Sequence, residues 1–361
     1  CIQILIAGYF MNRLTKVVSF KYARFGYLLF LLYPVIAYTA SAHRLPIYYL
    51  LYLLFLIVLL FDYIEGLTLT RTKAAFLILS GVILTQWRTE GVYLAVLVPI
   101  LLFIVYRNLR TRSAVIKFLI AFILVQYIVS IPQTGLFAKE VDAAADDRMK
   151  PFYAYTITNM YRNGLDLEKN KEDLEIVDHY LSLSAIEAIN EYYGDINYED
   201  VLILYKEGYI GVRPEATVAD FFAYSSALKR IFINNPDVFL KTRIGAFRYA
   251  ALPFHITFTG FSPKPLISFA VSIVKTVSYN LFIPLAIILM LCIYTLFRKR
   301  WFTFFVMGGM LTHWFIVFIL APASYFKYYF PIYIVAYFYV LMLTLQLIYN
   351  HFHDTKISVL K

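Results

Sequence analysis

The chain has 361 residues, of which 61% are hydrophobic and only 16% are charged, whereas soluble domains carry about 25% charged residues. So few charges cannot cover a globular protein with polar surface, and the apolar residues occur in long runs. We therefore expect an all-α polytopic membrane protein. The composition excludes a disordered chain or a coiled coil, and with Cys1 and Cys292 as the only cysteines it excludes a disulfide scaffold.

The net charge of +10 is divided unevenly along the chain. Residues 139–220 contain 18 acidic and 8 basic residues and carry −10, so the remainder carries +20. Much of the basic excess lies in short segments between apolar runs, a distribution that orients membrane proteins. The lipid bilayer is thus the expected partner, and no separate basic domain remains that would bind nucleic acid.

Nine transmembrane helices are predicted from the apolar runs, the first of them incomplete. The runs cover residues 1–11, 25–42, 45–61, 74–87, 91–106, 114–131, 279–297, 301–320 and 328–349. A helix needs about 20 residues to cross the hydrocarbon core, so several runs must extend into their flanks. The chain starts inside an apolar run without a methionine, and we interpret it as a fragment that lacks an N-terminal portion.

Basic residues in alternate loops predict the orientation in the membrane. The loops on one side contain Arg13, Lys16, Lys21, Arg24, Arg71, Lys73, Arg107, Arg110, Arg112, Lys117, Arg298, Lys299 and Arg300. The positive-inside rule makes these loops cytoplasmic, in what we expect to be a bacterial plasma membrane. The predicted parts are a bundle of six spans (1–132), an acidic, mainly helical extracytoplasmic domain (133–264), an interfacial helix with three spans (265–349) and a cytoplasmic tail (350–361).

Local signals place three helices in the second half of the chain. Asn235-Pro236-Asp237 has a capping residue, a first-turn proline and an acid near the helix dipole, which predicts a helix start. Leu174, Val177, Leu181 and Leu183 predict one amphipathic helix. Residues 266–296 are too long for one span, so we expect a surface helix followed by a turn near Asn280–Pro284, or else a single tilted helix.

Arg88 and Glu90 are the leading candidates for function. They lie between two apolar runs that are each short for a span, so a hairpin would place both charges at or slightly below the outer interface. Unpaired charges are costly at that depth, and they persist there when they are paired or face a polar cavity. The alternative interpretation is a mutual ion pair that caps a tight turn beside Trp87.

Further outward-facing candidates are cationic or aromatic. Lys327 and Tyr328 belong to a run of aromatic residues before Pro331 that suits a phosphate or a sugar, or an ordinary aromatic belt. Arg44 lies in a short outward loop. Arg248, with Arg243 and His255, lies where the acidic domain returns to the membrane and is placed to meet lipid phosphate or anionic headgroups. His313 is expected to form a hydrogen bond between helices.

The layout resembles the GT-C polytopic glycosyltransferases. The similarity lies in the many spans, the large outer domain late in the chain, the Arg88-x-Glu90-Gly91 turn and the Lys327-Tyr328 pair before Pro331. The last motif departs from the family pattern, in which arginine precedes the tyrosine. The resemblance implies an enzyme that transfers a sugar from a polyprenyl-phosphate-linked donor to a glycan, lipid or protein acceptor at the cell envelope, as in polysaccharide biosynthesis.

The resemblance also implies roles for these residues. Arg88, Lys327, Arg44, Arg248 and Tyr328 would bind the donor phosphate or substrate, because a departing phosphate needs cations to hold its growing charge. Glu90 would have a supporting catalytic role, because the family's main acid follows a first span that this sequence lacks. No metal ligands are predicted, and no cofactor is assigned, although a divalent metal is compatible with the chemistry.

Two other classes of function fit the same layout. A polysaccharide polymerase or ligase also joins many spans to a large outer loop. A multi-span transporter would have inverted repeats and ionisable residues at the bilayer midplane; the sequence has no repeat, and we expect its ionisable residues at the outer edge.

Overall fold

The computed structural model describes residues 2–31, 44–106, 112–193, 200–205, 210–252, 280–321, 326–353 and 358–359. Within these ranges the protein is helical and contains no strand; Leu181 and Val212 form an isolated antiparallel β-bridge. The all-α class predicted from composition is therefore confirmed for the described residues.

The helices follow the apolar and amphipathic runs of the sequence. They are α1 (Ile2–Val17), α2 (Phe20–Leu31), α3 (Arg44–Glu65), α4 (Arg71–Gln86), α5 (Leu94–Tyr106), α6 (Arg112–Thr134), α7 (Ala138–Arg162), α8 (Lys171–Asp178), α9 (Leu183–Tyr192), α10 (Leu202–Tyr205), α11 (Val218–Asn234), α12 (Pro236–Ala251), α13 (Phe282–Phe297), α14 (Trp301–Leu320) and α15 (Phe330–Phe352). Short 3₁₀ turns at Thr89–Gly91 and Phe326–Tyr329 precede α5 and α15.

In the described part of the chain, four segments are long and apolar enough to cross a membrane: Ile47–Glu65, Ile116–Thr134, Trp301–Leu320 and Phe326–Phe352. The protein is accordingly a multi-pass membrane protein. Helices α5 and α13 are apolar but shorter, so the count of nine spans stays a prediction.

The predicted surface helix before Asn280 lies outside the described residues. Helix α13 begins at Phe282, whose N–H donates to the Asn280 side chain at 2.8 Å.

The chain divides into two compact units. The first comprises Cys1–Ile131, Phe258–Ile316 and Lys327–Lys361, and the second comprises Pro132–Thr257 and Val317–Phe326. The second unit starts where the acidic domain was predicted to start, and it also includes the end of α14. On which side of the membrane it lies remains a prediction.

A cluster of buried charges, which we call the inner cluster, joins four helices of the first unit. Asp62 on α3 is fully buried and receives Arg13 Nη2 at 3.0 Å, Lys73 Nζ at 2.7 Å and the Tyr106 hydroxyl at 2.5 Å. Arg13 also contacts Glu65 Oε1 at 2.8 Å. Two cations therefore balance two carboxylates where the ends of α1, α3, α4 and α5 meet.

The inner cluster corrects the sequence interpretation of Arg13 and Lys73. Both were expected to be loop charges that orient the chain. Arg13 instead lies within α1 and is buried, and Lys73 lies in the first turn of α4, where Thr70 caps the helix. Because unpaired ions are very costly in an apolar interior, we attribute the burial of Arg13 to its two carboxylate partners on α3.

The second unit has its own apolar core, built from the C-terminal half of α7, which is buried on all sides over residues 151–158, and from α8, α9, α10, α11 and α12. The single amphipathic helix predicted over Leu174–Leu183 is wrong in one respect. Helix α8 buries Leu174 and Val177 but ends at Asp178, and Leu181 pairs with Val212 before α9 begins. The break arises where Asp178 accepts the Leu183 N–H at 2.8 Å and Ser182 caps α9.

The predicted start of α12 is confirmed, but the capping bond is not. Pro236 is its first residue, and Asn235 occupies the cap position without making a side-chain capping bond. The Asn235 amide instead donates to Asn170 Oδ1 at 2.9 Å and to the Ile231 carbonyl at 2.7 Å. Asn235 therefore fastens α11 to the turn before α8, and its buried amide contacts replace a local cap.

The inner cluster predicts a large loss of stability when its central carboxylate is removed. Asp62→Ala would leave Arg13 and Lys73 short of a buried counter-charge, and breaking a buried ion pair in this way costs about 3–5 kcal/mol. Thermal unfolding of the purified protein in detergent should show a clearly lower Tm for Asp62→Ala. Glu191→Ala, at an exposed position of α9, is the control and should leave the Tm unchanged.

The second unit predicts a loss of stability in acid. Partial burial of Asp178 favours its protonated form, but the Leu183 N–H and the Arg213 guanidinium outweigh that effect and lower its pKa. The Thr217 hydroxyl and N–H lower the pKa of Asp220 in the capping box of α11. A carboxyl whose pKa is lowered by folding stabilises the protein above the unfolded value of about 3.9 and loses this contribution as the pH falls further.

The measurement compares the Tm of the full chain at pH 7 and pH 3. Asp178→Asn combined with Asp220→Asn should lose less on acidification than the wild type, because these two groups then no longer titrate. An equal loss in both proteins would contradict the assignment.

Candidate functional site

The short hairpin predicted around Arg88 is present. Helices α4 and α5 pack against each other, and the 3₁₀ turn Thr89–Gly91 lies between them, closed by a 2.9 Å hydrogen bond from the Gly91 N–H to the Arg88 carbonyl. Gly91 is needed there because a Cβ atom would collide with the Leu84 carbonyl oxygen. The turn is therefore folded back onto the end of α4, and this close approach fixes the position of the backbone of residues 88–90.

Arg88 and Glu90 form an ion pair within this turn. Arg88 Nε donates to Glu90 Oε1 at 2.5 Å, and Nη2 contacts the same oxygen. Their side chains are 15% and 13% exposed, so the pair is largely removed from solvent and still reachable. The mutual ion pair expected as one alternative is thus present, and a pair of this kind is compatible with a structural or a functional role.

A second segment far along the chain supplies the other half of the site. The 3₁₀ turn Phe326–Tyr329 carries Lys327 and Tyr328, and hydrogen bonds from other helices hold its backbone. The Tyr49 hydroxyl of α3 donates to the Lys327 carbonyl. His313 Nε2 of α14 lies 2.9 Å from the Tyr328 carbonyl; a carbonyl only accepts, so Nε2 carries the proton. The expected hydrogen bond of His313 to a neighbouring segment is confirmed.

The Tyr328 ring brings the two segments together. Arg88 Cζ lies 5.7 Å from the ring centre and Lys327 Nζ lies 5.4 Å from it, both within the range of a cation–π interaction. The two cationic groups are therefore at most about 11 Å apart. Arg88, Glu90, Lys327 and Tyr328, all predicted from the sequence, form one group that we call the outer cluster.

Two predicted residues are not part of the described outer cluster. Arg44 is the first residue of α3, but its side chain lies outside the described part of the chain. Arg248 is exposed on α12 in the second unit. For both residues a role in binding donor phosphate stays a prediction.

Arg243 does not have the exposed, phosphate-facing position expected for it. It is 1% exposed, and its Nε and Nη2 donate to the carbonyls of Phe318 and Ala321 at 2.7 and 2.9 Å. Its guanidinium also lies over the Phe152 ring at 5.6 Å. A cation at the last carbonyls of a helix is stabilised by the helix dipole, so Arg243 caps α14 within the second unit. His255 lies outside the described residues.

Sequence analysis missed the aromatic support of the site. Tyr48 donates to the Leu84 carbonyl at 2.9 Å and meets the Trp87 ring edge-on at 6.1 Å. Tyr93 contacts the His313 ring at 5.7 Å. One signal was available: the adjacent pair Tyr48–Tyr49 follows Pro46 at the outward end of a predicted span, the same depth at which Trp87 was placed.

The outer cluster has the chemistry of an anion site. Its formal charges sum to +1, and a guanidinium beside an aromatic ring suits a phosphate group with an attached sugar or lipid. A polar depression of about 490 Å³ on the second unit is less suitable, because Glu175, Asp178 and Glu187 outnumber Arg213 there. Among the described residues no group of three or more acidic, histidine or cysteine side chains is placed to hold a metal ion.

Comparisons with known proteins do not assign a family. No protein-family model matches the chain, and neither a curated protein nor a solved structure is significantly similar to it.

The packing at Gly91 predicts that the turn tolerates no side chain. Gly91→Ala should push the turn away from α4, disturb the Arg88–Glu90 pair and destabilise the protein by about 1–3 kcal/mol, as overpacking does. The control is Gly308→Ala in α14, where an added Cβ meets no atom within 4 Å and alanine favours the helix. Equal melting temperatures for the two variants would contradict the proposed close approach at Gly91.

Proposed function

We propose that the protein is a membrane glycosyltransferase that takes a sugar from a polyprenyl-phosphate-linked donor, and that Arg88 and Lys327 bind the donor phosphate. The observation that carries the proposal is the convergence on the Tyr328 ring of two cations 239 positions apart in sequence. An aromatic belt alone does not require an arginine and a lysine on one ring. The acceptor would be a glycan, lipid or protein at the cell surface.

The depth of the site supports a lipid-linked ligand. Helices α4 and α5 have 16 and 13 residues, about 24 and 20 Å at 1.5 Å per residue, which is short of the ~30 Å hydrocarbon core. A turn between two such helices would lie at or slightly below the outer interface, within reach of a phosphate that is anchored in the bilayer. A phosphate carried by a polyprenyl chain would reach it from the bilayer with its sugar in the aqueous layer.

The roles in transfer follow from charge. In the transfer an acceptor hydroxyl would bond to the anomeric carbon and lose its proton to a carboxylate base. As the anomeric C–O bond to phosphate breaks, its electron pair stays on the phosphate oxygen, and Arg88 would stabilise the negative charge that grows there. Lys327 would add a second, more mobile positive charge. Tyr328 would orient both cations and offer a ring face to the sugar. Glu90 would have a supporting role through its contact with Arg88.

Ionisable residues within the helices give a transporter less support. That function favours charges near the middle of the spans, whereas the inner cluster lies at the end of α3, with Asp62 three residues before Glu65, the last residue of the helix. Its carboxylates are neutralised by two cations in a closed arrangement. We interpret this cluster as a structural tie between helix ends.

The proposal predicts that Arg88→Ala abolishes sugar transfer or nearly does so. Losing one donor to a developing oxyanion lowers the rate by about 10²–10³. Arg88→Lys should restore little if the contact is bidentate, because an ammonium cannot reproduce the guanidinium fork. The assay measures transfer of radiolabelled sugar from a polyprenyl-phosphate donor in proteoliposomes, with a melting curve for each variant.

Two further variants control for folding. Arg213→Ala removes another arginine with a carboxylate partner, in the second unit, and should leave transfer intact. Arg88→Ala with Glu90→Gln removes both charges of the pair, so no lone carboxylate is left in the turn. Wild-type turnover in either stable Arg88 variant would remove this site from the mechanism.

A further inference from the structure

The Arg88–Glu90 pair has an incomplete geometry. In a full bidentate pair two N–H groups meet two different oxygens, whereas Arg88 Nε and Nη2 both contact Glu90 Oε1. With one residue between the partners in a three-residue turn, the carboxylate reaches the guanidinium with a single oxygen. Glu90 thus occupies the Nε–Nη2 edge of Arg88 with one carboxylate oxygen instead of two.

The occupied edge is one of the two edges of the guanidinium that can bind a phosphate through two N–H groups. The Nε–Nη2 edge presents two parallel N–H groups, which match two oxygens of a phosphate. Arg88 Cζ lies 5.7 Å from the centre of the Tyr328 ring, and a phosphate that approaches the Nε–Nη2 edge meets Glu90 first. The pair is partly exposed, which leaves room for an exchange of partners.

We propose that Glu90 holds the place of the ligand phosphate in the free protein, and that a phosphate binds by displacing Glu90 from Arg88. This inference rests on the proposed function for the identity of the ligand, and on the pair geometry for the exchange itself. The phosphate gains two contacts where the carboxylate had one oxygen, with Lys327 nearby as a second cation. Glu90 therefore acts as a built-in competitor that keeps weakly matched anions out of the site.

The competition predicts an effect opposite to that of an orienting ion pair. If Glu90 competes with the ligand, Glu90→Gln should tighten phosphate binding about tenfold or more, because a charge-assisted contact to the competitor is lost. If Glu90 only orients Arg88, the same change weakens binding. Glu90→Asp separates competition from simple repulsion: it keeps the charge but shortens the side chain, so it should hold Arg88 less well and also tighten binding, by a smaller factor.

The experiment titrates the full chain in detergent with a polyprenyl monophosphate and measures the Kd by calorimetry for wild type, Glu90→Gln, Glu90→Asp and Arg88→Lys. Asp178→Asn is the matched control, because it removes one carboxylate that pairs with an arginine, Arg213, in the second unit. We expect tighter binding for both Glu90 variants, weaker binding for Arg88→Lys and no change for the control. Unchanged or weaker binding in Glu90→Gln, or wild-type binding in Glu90→Asp, overturns the exchange.

Two further probes identify the source of the phosphate. Inorganic phosphate tests the anion alone, and nanodiscs with phosphatidylglycerol test a common lipid headgroup. Binding of any probe that tightens in the Glu90 variants supports the exchange, and the probe with the lowest Kd identifies the class of ligand.

The two proposals fail separately. Tighter binding in the variants, with no sugar transfer by the wild type, keeps the exchange and removes the enzyme. Transfer by the wild type, with unchanged binding in both Glu90 variants, does the reverse.

Discussion

The cost of placing a charge in an apolar interior governs this structure. Ions transferred from water to a low-dielectric medium lose several kcal/mol of solvation each, and a chain with 16% charged residues in long apolar runs has few ways to recover it. Three arginines of the described residues, two of them buried and Arg88 largely so, recover it in three ways. Arg13 meets carboxylates, Arg88 meets a carboxylate and an aromatic ring, and Arg243 meets the carbonyls at the end of a helix.

The inner and outer clusters differ in whether their charges are balanced. In the inner cluster each cation has a carboxylate partner, and Asp62 accepts from three side chains, so the arrangement is closed and joins helix ends. In the outer cluster the formal charges do not cancel, and a tyrosine ring lies beside both cations. A balanced network contributes stability, whereas an unbalanced one attracts an anion. The outer cluster is therefore the better candidate for binding a ligand.

Much of the fold was predictable because it depends on local pattern. A long continuous apolar run satisfies its own backbone hydrogen bonds in lipid by forming a helix, and Pro236 behind Asn235 marks a helix start through a fixed φ and a missing donor. The Arg88–Glu90 pair was predictable as well, since the two residues are two positions apart. Local pattern predicted the wrong contact where a distant partner competes. The Asn235 side chain bonds to Asn170 instead of capping α12, and Arg243 donates to carbonyls at the end of α14 instead of facing a lipid phosphate.

The partners across helices were beyond sequence reasoning from one chain. Nothing local to Arg13 indicates Asp62, 49 positions away, and nothing local to Tyr49 indicates the carbonyl of Lys327. Such contacts depend on which helices become neighbours, which hydrophobic periodicity does not specify. The residues of the outer cluster could therefore be named from the sequence, but their contacts with one another could not.

The way the second turn is anchored is compatible with a lysine at position 327, where the family that the sequence resembles has arginine. Tyr49 and His313 hold the turn through the backbone carbonyls of Lys327 and Tyr328, so its position does not depend on which side chain stands at 327. In the proposed function Arg88, beside the other turn, would supply the planar fork that recognises a phosphate. Position 327 would then need only a positive charge that reaches the ring, which a lysine on its flexible stem provides. Under this proposal the hairpin turn would recognise the shape of the phosphate, and the turn before α15 would add electrostatic attraction.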